Sequence, residues 1–345
     1  MTDPSTAFDW TGALARVRAV IPPSPVVGAP TLCARLDRPV HLKLECLNET
    51  GSFKVRGAAA RIQALGDEDR ARGVVTCSSG NHGRAVAFVA ERLGVPATVF
   101  VPDWVDPVKL AAIRAHRADA VLAGDSYDEA ERRALEHAAA RGLTFVPPFD
   151  DADVVAGQGT VALETLEQVP GVTEIAAPLS GGGLIGGIAA ALRDHRPAVA
   201  VTAVTAHSAR VMWESLRAGR PIEMPEDDTL AGALAGGIGL DNRVTFPLVR
   251  DLVAHHEIVD EAAIALAMAY AWHELGLVLE GGGAVALAAA LEGLLPGDSS
   301  DPLVIVLSGG NVDLGVLGRV LAGNALAVPD RENQSRSPLS KEFPR

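Results

Sequence analysis

One lysine, Lys54, stands in the stretch Gly51-Ser52-Phe53-Lys54-Val55-Arg56-Gly57, between a turn and the small residues Gly57-Ala58-Ala59-Ala60 that open a helix. Its neighbours Phe53 and Val55 are apolar. Desolvation there would lower the proton affinity of the amine and leave a nucleophile able to form a Schiff base with a carbonyl. A lysine at a helix start is also an ordinary solvated cation, so the chemistry depends on partners elsewhere in the chain. Leu179-Ser180-Gly181-Gly182-Gly183-Leu184 follows an apolar run and opens a helix. Its backbone N–H groups can converge on a phosphate, and the helix start adds partial positive charge. Gly181 to Gly186 also fits GxGxxG, the dinucleotide fingerprint. That fingerprint needs a carboxylate at the end of the next strand to hold a ribose. The next run ends in Thr205-Ala206-His207, so a single phosphate without a ribose fits better.

Three further loops have the same placement. Ser78-Ser79-Gly80-Asn81-His82-Gly83 ends a strand-like run and offers two hydroxyls, an amide and helix-start N–H groups, an anion site suited to a carboxylate. Ser308-Gly309-Gly310-Asn311 ends a buried run and presents one hydroxyl, and Glu280-Gly281-Gly282-Gly283-Ala284 precedes an alanine-rich helix. Each loop alone is explained by turn and cap chemistry. Four of them with one lysine in an apolar setting point to a phosphate-bearing aldehyde cofactor.

The elements that must position these loops alternate along the chain, as in a parallel sheet with helices on both faces. Strand-like runs are read at 41–47, 74–78, 97–101, 120–123, 144–146, 174–179, 198–205 and 303–307, and His255-His256 begin another. Helical stretches are read at 84–93, 108–117, 127–140, 159–169 and 261–275. In the last, Ile264, Met268, Ala271 and Leu275 share one face and are core. Residues 73–150 hold four compact strand–helix units. They are expected to form a small α/β domain inserted into a larger one made of 1–72 and 151–327, with the ligand cleft between them. Residues 328–345 are polar and aperiodic and read as a disordered tail.

Composition bounds the rest. The 345 residues carry a net charge of −13 with no basic run, which argues against a nucleic-acid surface. No CxxC or HExxH spacing suggests a metal, and Cys33, Cys46 and Cys77 read as reduced thiols. The start, MTDPSTAFDW, lacks the pattern of a signal peptide, and no apolar run approaches ~20 residues. A soluble cytoplasmic protein, off the membrane, is expected.

SFKVRGA, SSGNHGRA, AGQGTVALE, SGGGL and VLSGGNVD, in this order, resemble the serine/threonine dehydratase and serine racemase family over residues 10 to 325. The resemblance implies an α/β, two-domain, tryptophan-synthase-β-like (fold type II) enzyme dependent on pyridoxal 5'-phosphate, a homodimer acting on a small amino acid. It implies that Lys54 carries the Schiff base and acts as base, that Phe53 packs against the cofactor, and that Asn81 bonds the ring hydroxyl. Ser180, Gly181, Gly182, Gly183 and Leu184 would bind the phosphate, and Ser308 the pyridine nitrogen. Ser78, Ser79, Asn81 and His82 would receive the substrate carboxylate, with Ser79 as a second acid/base. The implied reaction is β-elimination from a β-hydroxy amino acid such as threonine or serine, giving a 2-oxo acid and ammonia, with amino-acid racemisation as the alternative. PPFDD at 147–151, ESLRAGRPIE at 214–223 and GGIGLDNRVTF at 236–246 resemble the ectoine/hydroxyectoine-utilisation branch. There are three departures from the family pattern. Ser180 replaces a glycine, Thr205 and Val211 stand where cation-dependent relatives place carboxylates, and Ala231-Gly232-Ala233 lacks an aspartate. No divalent-metal site is expected there.

Overall fold

The computed structural model describes residues 7–298 and 301–323; the segment 328–345 lies outside them. The strands are β1 (Val26–Gly28), β2 (Val40–Leu44), β3 (Val74–Cys77), β4 (Ala97–Val101), β5 (Asp119–Leu122), β6 (Thr144–Phe145), β7 (Glu174–Pro178), β8 (Ala200–Ala206), β9 (His255–Val259) and β10 (Leu303–Leu307). They form a six-stranded sheet, β1-β2-β10-β7-β8-β9, and a four-stranded sheet, β5-β4-β3-β6. The chain leaves the larger sheet after β2, builds the smaller one within 74–145, and returns at β7. All pairings are parallel except that of the edge strand β1 with β2.

A parallel sheet covered on both faces needs strands apolar on both sides, and β10, Leu-Val-Ile-Val-Leu, is buried throughout. Its residues divide by the two-residue period of a strand. Leu303, Ile305 and Leu307 join the core under the Glu261–Leu275 and Gly281–Leu291 helices. Val304 and Val306 join the core under the Ala152–Gln168 and Gly183–His195 helices.

Several sequence boundaries move for identifiable reasons. The run read at 41–47 is a strand only to Leu44; Glu45–Leu47 coils into a 3-10 turn that keeps the Glu45 carboxylate inside the protein. The helix read from 159 begins at Ala152, where Asp151 accepts a hydrogen bond from the Val154 backbone N–H. The glycines of Ala156-Gly157-Gln158-Gly159 obscure that start in the sequence. They serve close packing: a Cβ on Gly157 would lie 2.5 Å from the Arg56 carbonyl oxygen. The helix read from 84 begins at Asn81. The Trp10–Arg18 helix, capped by Asp9 and burying Trp10, Ala13 and Val17 on one face, and the three-residue β1 add to the elements read from the sequence.

Beneath the Lys54–Ala64 helix lies a closed ionic network. Lys43 of β2, Glu45, Arg56 and Glu164 are each at most 1% exposed. Arg56 donates through Nε and Nη2 to the two Glu45 oxygens (2.7 and 2.8 Å), and through Nη1 and Nη2 to those of Glu164 (2.9 and 2.7 Å). Thr160 Oγ1 and Ser24 Oγ accept further bonds from it. Lys43 Nζ donates to Glu164, to Gln168 and to the Ser24 carbonyl. Burial alone would raise both carboxyls, but the Arg56 charge and hydrogen bonds outweigh it and hold them below their ordinary values. Their contribution to stability is present above the ordinary carboxyl range and is lost as the pH falls below it.

Removing the shared cation leaves the buried Glu45 without an ion-pair partner and Glu164 with Lys43 alone. Arg56→Met is expected to destabilise the apoprotein by about 3–5 kcal/mol in urea unfolding. A loss below about 1 kcal/mol would show that the network does not hold the helix.

Candidate active site

Lys54 is the first residue of its helix, and the preceding turn is fastened to the end of β10. Ser52 pairs with Gly309, and the Phe53 backbone N–H donates to the Ser308 carbonyl at 3.0 Å. Lys54 Nζ donates to the Pro148 carbonyl at 2.8 Å and lies 5.2 Å from the centre of the Phe53 ring. Burial pulls its pKa down to about 8, against the smaller opposing effect of the Glu280 charge. At neutral pH roughly a tenth of such amines are unprotonated, against fewer than about one in a thousand for a free lysine.

Pro148 is followed by Phe149, whose ring closes on the glycine loop after β7: a Cβ on Gly181 would lie 2.4 Å from it. One short segment therefore touches both the lysine and the loop. Gly182 has a φ of +85°, which lets the chain turn from β7 into the Gly183–His195 helix. Among the described residues, the backbone N–H groups of Gly181, Gly182, Gly183 and Leu184 find no acceptor. They are a cradle for an anion at a helix start. The Ser180 hydroxyl is committed elsewhere, donating to the Leu234 carbonyl at 2.9 Å. Asp150 anchors the segment by accepting from the backbone N–H groups of Arg243, Val244 and Thr245, each at 2.9 Å.

The Ser78–His82 loop ends β3. Ser78 Oγ accepts from the Gly80 N–H, and the half-buried Ser79 has no hydroxyl partner among the described residues. His82 Nε2 lies 2.9 Å from the Val146 carbonyl, which can only accept, so Nε2 carries the proton and Nδ1 is bare. Burial holds this imidazole neutral, its pKa near 3, with the Lys54 charge adding to the effect. The ring thus has no donor for an anion; what His82 can offer is its backbone N–H in the first turn of the Asn81–Leu93 helix.

Asn81 Nδ2 donates to Glu280 Oε1 at 2.6 Å, and Asn81 Oδ1 accepts from Asn311 Nδ2 at 2.7 Å. Burial pushes the Glu280 carboxyl up to about 7, against the opposing effects of the Asn81 hydrogen bond and the Lys109 and Lys54 charges. Ser308 is buried, yet its hydroxyl has no partner among the described residues.

Lys54, Phe53 and Ser308 are thus in direct contact, the 181–184 loop reaches them through Pro148 and Phe149, and Asn81 is tied to the same end of β10 through Glu280 and Asn311. Pro148, Phe149, Asp150, Glu280 and Asn311 were not singled out as site residues by sequence reasoning. Their signals were a glutamate heading three glycines, the asparagine closing the 308–311 loop and the PPFDD segment. A desolvated amine, an unfilled N–H cradle and an unpartnered hydroxyl at a strand end fit a phosphorylated aldehyde of the pyridoxal type. In apoprotein, trapping of a small aldehyde on Lys54 with borohydride is expected to rise with pH around a midpoint near 8. Glu280→Gln removes a charge that stabilises the ammonium, so it moves this midpoint down; a wild-type midpoint near 10.5, read by mass spectrometry, would contradict the desolvated amine.

The family model described as "Pyridoxal-phosphate dependent enzyme" matches residues 17–309. An L-threonine ammonia-lyase of Geobacter sulfurreducens is 42% identical over 294 residues, covering 85% of this chain and 72% of its own. A serine racemase of Oryza sativa subsp. indica is 37% identical over 309 residues, covering 88% and 90%. The solved structure of the processed form of threonine deaminase isoform 2 from Solanum lycopersicum is 34% identical with a TM-score of 0.86, covering 91% of this chain and 87% of that one. With a family match across most of its length and the parallel sheets of fold type II, this chain belongs to the pyridoxal-phosphate dependent enzymes, and pyridoxal phosphate is its cofactor.

Proposed function

We propose that this enzyme is an ammonia-lyase that eliminates water from a small β-hydroxy amino acid such as L-threonine or L-serine, giving a 2-oxo acid and ammonia. The observation that carries the reading is Ser308, a buried residue just after β10 and directly beside the Lys54 turn, whose hydroxyl has no partner among the described residues. In this reading the Lys54 amine and the N–H groups of Gly181–Leu184 hold the two ends of the cofactor. Phe53 packs beside it, Asn81 bonds the ring hydroxyl and Ser308 the ring nitrogen. Bound there, pyridoxal phosphate supplies an electron sink that acidifies the α-hydrogen of an amino acid.

Ser308 sets how deep that sink is. A hydroxyl donates to a ring nitrogen without charging it, whereas a carboxylate would keep it protonated. Charge at the α-carbon is then weakly stabilised, and loss of a β-hydroxyl is the easier exit. Freed when the amino group of the substrate takes its place on the cofactor, the Lys54 amine would take the α-proton as a neutral base. Backbone N–H groups of Asn81 and His82, with the hydroxyls of Ser78 and Ser79, receive the substrate carboxylate. Glu280, with its carboxyl near neutrality, can return a proton to the departing hydroxyl. The enamine released hydrolyses to the oxo acid. We also propose that 73–150 acts as a small domain closing the cleft over 1–72 and 151–327. A hydroxyectoine-derived substrate is a narrower proposal resting on 147–151, 214–223 and 236–246; Asp150 joins the first and last of these.

The test is incubation of holoenzyme with L-threonine and L-serine, following 2-oxo acid and D-isomer in parallel. The expected result is 2-oxo acid from at least one of them, reduced on the order of 10³-fold or more in Lys54→Ala. Absence of oxo acid from every β-hydroxy amino acid tried would sink the lyase reading. Racemisation is the second reading, supported by the half-buried Ser79 hydroxyl, which has no partner among the described residues. If it holds, Ser79→Ala abolishes D-isomer formation and leaves elimination measurable.

A further inference from the structure

The Asn81 carboxamide can point either of two ways, and only one of them lets Nδ2 meet Glu280. We propose that Arg84 and Asn311 are positioning residues that lock this direction, so that Asn81 presents its Nδ2 protons to Glu280 and to the cofactor. The proposal rests on the pyridoxal-phosphate reading of the site and adds the device that orients one of its contacts.

A guanidinium has donors only, so the Asn311 atom 2.9 Å from Arg84 Nη1 is its oxygen. Asn311 Nδ2 must then face the other way, where it donates to the Thr50 carbonyl at 2.8 Å and to Asn81 Oδ1 at 2.7 Å. Thr50 fixes the same orientation independently, because a carbonyl only accepts. With its oxygen taken by Asn311, Asn81 turns Nδ2 to Glu280 Oε1 and keeps a second N–H for the cleft. Reversing Asn81 would set NH2 against NH2 at one end and oxygen against carboxyl at the other.

The backbone makes room for this relay at both ends. A Cβ on Gly51, where φ is +74°, would lie 2.3 Å from Asn311 Oδ1, and one on Gly309 would lie 2.1 Å from Glu280 Oε1. The relay also spans the two sheets. Asn81 and Arg84 lie on the helix after β3, Asn311 and Glu280 on loops of the larger sheet, and Thr50 four residues before Lys54. Among the described residues the buried Arg84 Nε finds no partner, so the guanidinium is placed for Asn311 at the expense of its own hydrogen bonding.

The test compares Arg84→Met, Asn311→Asp and the rescue variant Arg84→Lys, which restores a donor. In apoprotein labelled with 15N-asparagine, side-chain amide exchange of Asn81 is expected to rise roughly tenfold in Arg84→Met and Asn311→Asp and to recover in Arg84→Lys. In holoenzyme the two disruptive variants are expected to shift the cofactor absorbance band and to weaken pyridoxal phosphate binding by about the same factor. Unchanged exchange and an unchanged band in Arg84→Met would overturn the proposal. So would equal effects in Arg84→Met and Arg84→Lys, since these would mean a packing role. If Arg84→Met does not fold, Asn311→Asp against Arg84→Lys decides by the same readouts. Failure of the wild type to bind pyridoxal phosphate would instead remove the cofactor reading, while the apoprotein exchange data still report on the relay.

Discussion

Arg56 lies two residues beyond Lys54, with the buried carboxylates of Glu45 and Glu164 closed upon its buried guanidinium. Desolvating three charges is costly, and the cost is offset only when every donor finds its acceptor in good geometry. An apolar contact tolerates a small slide; this fork does not. The network therefore fixes the register between the end of β2, the Lys54–Ala64 helix and the Ala152–Gln168 helix. Those elements carry or adjoin the Lys54 turn and the Pro148–Asp150 segment that leads into the second helix. The amine is placed from below by charge and from above by the bridge to β10.

The same region shows why the lysine is not simply another buried cation. Lys43 is also buried, and burial lowers its pKa too, but Glu164, Gln168 and the Ser24 carbonyl accept from it and the Glu45 and Glu164 charges oppose that effect. Lys54 has one carbonyl and one partly opposing carboxylate. A fully bonded ammonium is a structural part. One with a single neutral acceptor is free to lose its proton and exchange that bond for a covalent one.

Sequence patterns revealed the parts of this site that depend on local chemistry. Glycine loops at strand ends need small residues whatever the distant partners are, so Gly181–Gly183, Ser78–Asn81 and Ser308 could be read directly, and the alternation of elements gave the parallel sheets. What escaped was long-range and polar. Arg56 and Glu164 are 108 positions apart and Asn81 and Glu280 are 199 apart, and nothing in either neighbourhood announces the partner. Asp150 looks like any turn aspartate until the N–H groups of 243–245 meet it. His82 shows the converse: its presence in the anion loop was legible, but the bond to Val146 that turns its ring donor away from an anion was not.

One physical cause, removal of water, acts on Lys54 and Glu280 with opposite sign. It lowers the amine to about 8 and raises the carboxyl to about 7, and their mutual attraction opposes both movements without cancelling them. Groups that are ordinarily separated by about six pH units are thereby brought close to neutrality together. A site so arranged holds an available base and an available acid in the same pH range, as removing an α-proton and discharging a β-hydroxyl both require. Ser308 decides which of these steps is driven. In the proposed reading a Ser308 hydroxyl that left the ring nitrogen uncharged would make delay at the α-carbon unfavourable, so the nearby acid would be of most use to a group that is leaving.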